Sequence, residues 1–279
     1  MSHRISRSIP VRPWFADHCF NGKVIFPAVE AMLLLAETAQ EIQPDICLQN
    51  MTQASFSKLL EIPERAEKID VLVEYEETDE GLSCKLLSKI QFAKISRIKE
   101  HAALHFSGSA PNCSPLLRAV AGEDDVQIDA AKIYRELVPF GPVYRTICGT
   151  LHLRKATAIA KLRPAKVGKK QKMEAVIGSP FPLDGAMHAA CILGQCMADF
   201  VPFPVGFSRR CIHKATAAGN KYSCTVQLLS QTESELLFDL SIFAENGEPC
   251  ETVIGLRMRD VTGGMIRPAA DLPKITAFP

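Results

Sequence analysis

Two helical segments of this 279-residue chain are too apolar to face water over much of their surface. The first, at residues 25–40, reads IFPAVEAMLLLAETAQ, and the second, at residues 181–199, is rich in Ala, Leu, Met and Cys. Pro27 suits the first turn of a helix, where its missing N–H breaks no helical hydrogen bond, and strong helix formers follow it. Because such a helix has to be covered by other elements, each segment predicts a helix wrapped by strands.

Strand-length apolar or alternating stretches accompany both helices and are separated by turn residues. In the first part of the chain they lie at 51–60, 68–76, 82–90 and 93–106. In the second part a helical pattern at 129–137 precedes strand candidates at 145–154, 156–162, 211–214, 222–230, 236–244 and 252–260. One buried helix with several strands therefore occurs twice, which predicts an α+β fold made of two halves.

The composition of the connecting segments suggests where these halves begin and end. We expect an N-terminal unit at 1–110, a linker at 111–126 and a C-terminal unit at 127–265. The linker contains Pro, Asn, Ser and Gly residues and an acidic pair. Residues from Thr262 onward, assigned as a tail at 266–279, include three prolines and are expected to be loosely ordered.

The charge and hydropathy of the chain exclude several kinds of partner. The formal net charge is +1, so no global field favours nucleic acid or an anionic membrane. No apolar run reaches membrane-spanning length, and the N-terminus lacks the apolar stretch of a signal peptide. We therefore expect a soluble, cytoplasmic protein that binds neither nucleic acid nor membrane.

The environments of two groups of basic residues and of the cysteines can also be predicted. A basic stretch is expected to be a solvated loop, with contact to an acidic partner as the alternative; it comprises Lys161, Arg163, Lys166, Lys169, Lys170 and Lys172. A second group is expected to be exposed, namely Arg209, Arg210, His213 and Lys214. The ten cysteines include no C-x-x-C pair, so free, mostly buried thiols are expected.

The first candidate for chemistry is the motif His18-x-x-x-Gly22-x-x-x-x-Pro27, which runs directly into the first helix. Gly22 allows a sharp turn of the backbone, and the first N–H groups of the helix have no internal partners. These N–H groups could polarise a carbonyl, as an oxyanion hole does. A neutral His18 beside that carbonyl could accept a proton from the adjacent carbon. The alternative is a histidine that only caps a turn.

The second candidate is Asp184-Gly-Ala-Met-His188, which opens the second apolar helix. Residues four apart share a helix face, so the carboxyl and the imidazole are neighbours. Apolar surroundings would raise the pKa of the carboxyl group, whereas a position in the first helical turn would stabilise the carboxylate. The alternatives are an Asp184 that complements the helix dipole and a His188 that is a satisfied core residue.

Together the two motifs resemble the dehydratase domains of polyketide and fatty acid synthases, whose second motif reads D-x-x-x-Q or D-x-x-x-H. A third stretch, Phe140-Gly141-Pro142-Val143-Tyr144, resembles the Y-G-P-x-F of that family with its two aromatic residues exchanged. The resemblance covers nearly the whole chain. It implies the double hotdog fold, in which two tandem hotdogs each wrap an antiparallel sheet around a long central helix.

The resemblance also implies an activity, the removal of water from a 3-hydroxyacyl thioester. His18 would be the base, and Asp184, oriented by His188, would protonate the departing hydroxyl. The substrate-binding residues it implies are Gly22, Pro27, Ala28, Gly141, Pro142 and Tyr144. No metal or other cofactor is expected, because the thioester supplies the activation and no metal-ligand cluster occurs in the sequence.

The implied substrate is carried on the phosphopantetheine of an acyl carrier protein, so this carrier and other synthase enzymes are the expected partners. The chain could act as a monomer or a homodimer. Two alternatives stay open. One is a cyclase similar to product-template domains, which share the fold and a His/Asp pair. The other is a non-catalytic double hotdog that binds acyl chains or scaffolds a synthase, an alternative favoured by the exchange of Phe140 and Tyr144.

Overall fold

The computed structural model describes residues 1–92, 95–168 and 171–275. The first half has one long helix, α1 (Ala28–Ile42), preceded by a 3₁₀ turn at Pro13–Asp17. Its strands are β1 (His3–Pro10), β2 (Cys19–Phe20), β3 (Lys23–Val24), β4 (Asn50–Ser55), β5 (Lys68–Thr78), β6 (Gly81–Phe92) and β7 (Ile95–Ser107).

The second half has the same plan with additional short helices. Its helices are α2 (Ala130–Lys132), continued by a π-helical turn at Ile133–Leu137, then α3 (Glu174–Ile177) and α4 (Pro180–Gln195), with a 3₁₀ turn at Pro142–Tyr144. Its strands are β8 (Val126–Asp129), β9 (Ile147–Arg154), β10 (Thr157–Leu162), β11 (Phe203–Ile212), β12 (Tyr222–Gln231), β13 (Glu235–Ala244) and β14 (Pro249–Arg259).

Twelve of the described strands form one antiparallel sheet that curls around the two long helices. Their spatial order is β1-β5-β6-β7-β4-β11-β14-β13-β12-β10-β9-β8, so the halves join where β4 pairs with β11. Helix α1 packs on β6 and β7, α4 packs on β9, β10, β12 and β13, and the two helices touch each other. All sixteen residues of α4 are buried. The predicted pair of wrapped helices is therefore confirmed. Within the described ranges, no helix has the length and apolar character needed to cross a membrane.

The helix starts differ from those predicted, for local reasons. Helix α1 begins at Ala28 and not near residue 25, because Pro27 has an extended backbone (φ −68°, ψ 142°) and serves as the N-cap. Helix α4 begins at Pro180, with Ser179 as its N-cap, and ends at Gln195. Asp184 is therefore its fifth residue and lies beyond the first turn, where helix N-termini stabilise carboxylates most.

Several strand boundaries were also wrong. Strand β1 was missed because it is a polar strand at the sheet edge, although it pairs with β5 along its whole length. The strand predicted at 211–214 is the end of β11, which starts at Phe203; Pro204 and Gly206 read as a loop but form a bulge against β14. The strand predicted at 51–60 ends at Ser55. Residues 93 and 94 of another predicted strand, and Lys169 and Lys170 of the basic stretch, lie outside the described residues.

One of the charges expected at the surface is buried. Arg209, His213 and Lys214 are exposed, but the Arg210 side chain is 3% exposed and forms an ion pair with Glu251. Alternate side chains of a strand point to opposite faces, and Arg210 lies on the face of β11 that is turned towards the helices.

The expectation that all cysteines are free thiols is wrong for two of them. Cys113, in the segment between β7 and β8, forms a disulfide with Cys211 on the outer face of β11. The pairing escaped notice because the partners are 98 residues apart and only the fold brings them together. From Cys113 the segment continues along the outer face of the sheet, where the N–H of Leu116 donates to Ser241 Oγ and that of Ala119 donates to Thr225 Oγ1.

The described part of the tail is packed and not loose. Leu272 is buried, the N–H of Ile275 donates to the Cys196 carbonyl at 2.9 Å, and Lys274 pairs with Asp199 at 3.1 Å. Leu272 is the apolar residue that anchors this proline-rich segment to the core. Residues 276–279 lie outside the described residues.

Candidate active site

His18 lies at the base of a small hairpin that the first motif forms. β2 and β3 pair with each other, and the two residues between them, Asn21 and Gly22, have positive φ angles of 50° and 74°. Two consecutive positive φ angles are typical of a tight hairpin turn, in which Gly is favoured. Gly22 therefore shapes the turn at its exposed tip, and the structure does not bring it into contact with the other site residues.

The His18 ring is fixed on one side by the backbone. Its Nδ1 lies 2.9 Å from the Ile25 carbonyl oxygen, so the neutral ring carries its proton on Nδ1 and donates it to that oxygen. The Nε2 lone pair is left free to accept a proton. Burial lowers the pKa of His18 below its usual value of 6.5, and the nearby Asp184 carboxylate offsets part of this effect. The ring is therefore neutral at pH 7.

Helix α1 starts directly behind this hairpin. Pro27 is buried and Ala28 is partly exposed. The Ala28 N–H is the first of the helix and has no acceptor within it. The N–H of Ile25 donates to the His18 carbonyl at 3.0 Å, so the chain passes His18 two residues before Pro27.

Asp184 and His188 form the other side of the site, one turn apart on α4. The Asp184 Oδ2 and His188 Nε2 atoms are 3.0 Å apart, and the two residues are 7% and 5% exposed. Their relative orientation does not complete a hydrogen bond, and neither atom has another partner among the described residues. The pair therefore has unused hydrogen-bonding capacity that a ligand hydroxyl could meet.

Tyr134 holds the His188 ring from behind. Its hydroxyl accepts a hydrogen bond from the Ile147 N–H at 2.8 Å and lies 3.4 Å from His188 Nδ1. The hydroxyl group thus contacts the Nδ1 side of the ring, and Nε2 is the ring nitrogen that faces Asp184. Burial raises the pKa of Tyr134, which keeps this hydroxyl protonated.

Phe140 joins the two sides of the site. Its ring stacks on His18 with a centroid separation of 4.5 Å and is tilted against His188 at 5.2 Å. His18 from the first half and His188, the neighbour of Asp184, from the second half therefore flank a single aromatic ring. In the family's Y-G-P-x-F motif a tyrosine would take this place, so the aromatic exchange puts an apolar ring between the two histidines.

Gly141 and Pro142 position this ring and do not themselves line the site. The Gly141 N–H donates to the Asp17 carbonyl at 2.8 Å, and the Val143 N–H donates to Asp17 Oδ2 at 2.8 Å. A Cβ on Gly141 would overlap the Asp17 carboxylate, so only glycine allows this close approach. Pro142 is exposed and starts the 3₁₀ turn. The turn is thus fastened to the residue that precedes His18.

Tyr144 contributes a second phenol close to His18. Its ring is completely buried and lies with its edge towards His18 at a centroid distance of 5.1 Å. Its hydroxyl has no hydrogen-bond partner in the described ranges. Burial raises the pKa of Tyr144 well above 10, and the Glu30 and Asp184 carboxyl groups add to this effect. The hydroxyl is therefore a protonated donor without an acceptor.

The structure thus brings His18, Asp184, His188 and Tyr144 together. The start of α1 at Pro27 and Ala28 follows the His18 hairpin, Gly141 and Pro142 lie in the supporting turn, and Gly22 lies apart.

Three further residues were missed by sequence reasoning. Asp17 holds the 3₁₀ turn, Tyr134 contacts the His188 ring, and Phe140 lies against both histidines. Phe140 belongs to a motif that was recognised, and Asp17 adjoins His18, so both had a signal in the sequence. Tyr134 had none beyond its place in a helical pattern.

A surface depression of about 490 Å³ lies on the outer side of Tyr134. It is lined by Ala130, Ala131, Tyr134, Arg135 and Arg145. Arg145 Nε donates to the Phe140 carbonyl at 2.9 Å. Tyr134 thus lines the depression and also contacts His188.

Several solved structures of polyketide synthase domains share this fold. A trans-AT polyketide synthase dehydratase domain from Brevibacillus brevis gives a TM-score of 0.74 at 20% identity, covering 92% of this chain and 93% of that chain. The dehydratase domain from the CurJ module of curacin polyketide synthase gives 0.73 at 18% identity, over 92% and 91%. The bifunctional dehydratase-cyclase domain in ambruticin biosynthesis gives 0.70 at 19% identity, over 92% and 91%. These likenesses confirm the double hotdog fold.

The sequence of the chain also shows its family. No curated protein sequence matches the chain. The family model for the polyketide synthase dehydratase N-terminal domain matches residues 114–265, which is more than half of the chain and includes Phe140, Asp184 and His188 but not His18. The chain therefore belongs to the polyketide synthase dehydratase family, the hydro-lyases that remove water from 3-hydroxyacyl intermediates of polyketide synthesis.

Proposed function

We propose that this chain eliminates water from a 3-hydroxyacyl thioester with His18 as the base and Asp184 as the acid. The observation that carries this assignment is their placement around one ring. His18 stacks on Phe140 from the first half of the chain, and His188, 3.0 Å from Asp184, contacts the same ring from the second half.

The proton that His18 removes is the one on the carbon next to the thioester carbonyl. Its Nε2 is the free acceptor, because Nδ1 is engaged by the Ile25 carbonyl at 2.9 Å. The lowered pKa keeps the imidazole neutral at physiological pH, as a general base requires. The negative charge that develops on the thioester oxygen would be met by the Ala28 N–H at the start of α1, which has no helical acceptor.

The departing hydroxyl leaves from the next carbon. Asp184 gives its proton to the hydroxyl oxygen, the carbon–oxygen bond breaks, and water and a 2,3-unsaturated thioester are formed. His188 orients the carboxyl group by close contact, since its Nε2 lies 3.0 Å from Asp184 Oδ2. Tyr134 in turn fixes the His188 ring through Nδ1.

Tyr144 supplies the phenol that Phe140 lacks. Its protonated, unpaired hydroxyl lies beside His18 and would donate a hydrogen bond to the substrate. The remaining predicted residues act through the backbone: Pro27 places the Ala28 N–H, and Gly141 with Pro142 fixes the turn that carries Phe140 and Tyr144. We propose that no cofactor takes part, because the thioester itself acidifies the adjacent carbon.

The proposed substrate is tethered to an acyl carrier protein, and the proposed setting is the cytoplasm, beside the other enzymes of a polyketide synthase. Carrier proteins present an acidic surface and a phosphate-bearing arm, which guanidinium groups recognise well. The depression lined by Arg135, which is paired with Glu136, and by Arg145 offers such groups beside Tyr134, the residue that contacts His188.

The decisive experiment is an elimination assay on a 3-hydroxyacyl thioester with matched variants. His18→Ala and Asp184→Asn should each lower kcat by roughly 10²–10⁴-fold, the usual contribution of general acid–base catalysis. The controls are His3→Ala and Asp199→Asn, which change the same residue types at exposed positions. Wild-type turnover by either site variant would refute the assignment.

A second substrate in the same assay separates dehydration from cyclisation. Offered a poly-β-keto thioester, the wild-type chain should give no cyclised product, whereas a cyclase similar to product-template domains would give one. No turnover of either substrate by the wild-type chain would favour the non-catalytic alternative.

A further inference from the structure

A buried ion pair lies beside the segment that leads into α4, the helix that carries Asp184 and His188. The Arg210 Nε and Nη2 atoms donate to Glu251 Oε2 at 3.0 and 2.7 Å, and the two residues are 3% and 0% exposed. Removing two charges from water costs about as much as their attraction returns, so such a pair is weak evidence for a purely stabilising role. Its other contacts show which parts of the chain it holds in place.

On one side the pair grips the segment that leads into α4. Arg210 Nη2 also donates to the Ile177 carbonyl at 2.9 Å, three residues before α4 begins. The Ser179 N–H donates to the Thr216 carbonyl at 3.0 Å, and the Thr216 hydroxyl lies 3.3 Å from Glu251 Oε1. The segment therefore approaches the pair closely.

Gly178 makes this close approach possible. Its φ angle is +85°, and a Cβ there would lie 2.7 Å from Thr216 Oγ1 and 3.2 Å from Glu251 Oε1. Backbone that cannot accommodate even a methyl group is held tightly by its surroundings. The position of the first residues of α4, and hence of Asp184 on its second turn, depends on this contact.

On the other side Arg210 reaches into the first half of the chain. Its Nη1 lies 3.8 Å from Met32 Sδ of α1 and 3.7 Å from Met51 Sδ of β4. Thioether sulfurs are weak acceptors, so these contacts add packing more than hydrogen-bond energy. One guanidinium group thus touches α1, β4, β14 and the segment before α4.

We propose that Arg210 and Glu251 are positioning residues that set where Asp184 stands relative to the half that carries His18. This inference rests on the proposed function, since it concerns the same acid and base. The two halves of the site come from separate parts of the chain, and Arg210 contacts both through one rigid, planar group. Neither residue touches the substrate.

The test replaces each partner by its closest relative. Arg210→Lys keeps the charge, but an ammonium group cannot grip Glu251 and the Ile177 carbonyl with a planar fork. Glu251→Gln keeps the shape without the charge. Both should lower kcat roughly tenfold or more with KM within about twofold, because small misplacements of a catalytic group are costly. The matched control is Glu235→Gln, which breaks the exposed pair with Arg259 on the same sheet.

A second readout does not depend on turnover. Histidine NMR should show a shifted titration midpoint for His18 in Arg210→Lys and Glu251→Gln, because the Asp184 carboxylate raises the pKa of His18 against the lowering effect of burial, and an unshifted one in Glu235→Gln. If His18 titrates as in the wild type in both variants, the positioning role is overturned, whatever the substrate is. Failure of the wild-type chain to dehydrate would instead refute the proposed function and leave this readout to decide the inference.

A double variant covers the case in which the single variants do not fold. In Arg210→Met with Glu251→Leu no charge is left buried, so folding should be retained, but the Ile177 carbonyl has lost its donor. We expect a kcat as low as in the single variants and a shifted His18 titration. Wild-type kcat in the double variant would show that packing alone is sufficient and would overturn the proposal.

Discussion

Two buried tyrosines flank the site, and replacing each by phenylalanine should change stability in opposite directions. The Tyr144 hydroxyl is buried without a hydrogen-bond partner in the described part of the chain, and an unsatisfied buried hydroxyl costs about 1–3 kcal/mol. Tyr144→Phe removes this cost. The Tyr134 hydroxyl accepts the buried Ile147 N–H at 2.8 Å, so Tyr134→Phe leaves that donor unpaired at a similar cost.

The size of the effect is measurable by thermal unfolding. For a chain of this length about 1 kcal/mol corresponds to roughly 2 °C in Tm, so Tyr144→Phe should raise Tm by about 2–6 °C and Tyr134→Phe should lower it by about as much. Tyr75→Phe, at a partly exposed strand position, serves as the control and should change Tm little.

Activity should move differently from stability. If the Tyr144 hydroxyl donates to the substrate, Tyr144→Phe lowers kcat/KM roughly tenfold, the value of one such hydrogen bond, although the protein becomes more stable. A Tyr144→Phe variant destabilised as much as Tyr134→Phe would refute the reasoning, because the hydroxyl would then have a partner. A more stable variant with unchanged kcat/KM would refute its contact with the substrate.

Three further outcomes are expected. Because burial lowers the pKa of His18 below 6.5, kcat/KM should stay level as pH falls to 6.5 and drop only below it. The stability that the neutral ring contributes is complete above pH 6.5 and is lost at lower pH, by at most about 1.4 kcal/mol per pH unit. Urea unfolding at pH 7.5 and 5.5 should therefore show a smaller loss of stability for His18→Gln than for the wild type. Cys113→Ser should cost about 2–5 kcal/mol in urea unfolding, and a reducing agent should lower the Tm of the wild type but not of this variant; equal effects on both would exclude the disulfide. Gly141→Ala, which drives a Cβ into the Asp17 carboxylate, should lower kcat roughly tenfold or more, whereas Gly168→Ala, with open space around it, should not, and equal activity of the two variants would contradict the role assigned to Gly141.

Features that depend on neighbouring residues were predictable. The two apolar helices follow from composition over fifteen or so positions, and all sixteen residues of α4 are in fact buried. Asp184 and His188 had to share a face because they are four apart on a helix. The turn at Gly22 followed from the freedom of glycine, and its φ of +74° agrees.

Features that depend on distant partners were not predictable from the sequence alone. β1 is polar enough to read as loop, and only its pairing with β5 makes it a strand. Arg210 read as a surface charge because its partner Glu251 is 41 residues away. Likewise, nothing in the spacing of the motifs says that Phe140 would lie between His18 and His188.

The sequence by itself therefore determined the wrapped helices, the turn at Gly22 and the candidates for acid and base, because these rest on short-range rules of backbone freedom, helix period and side-chain chemistry. Only the tertiary structure decided what stands between and behind them: the aromatic ring shared by the histidines, the unpaired Tyr144 hydroxyl and the buried ion pair at the start of α4. Those contacts join residues that strand register and helix packing bring together, and no local pattern records such long-range pairings.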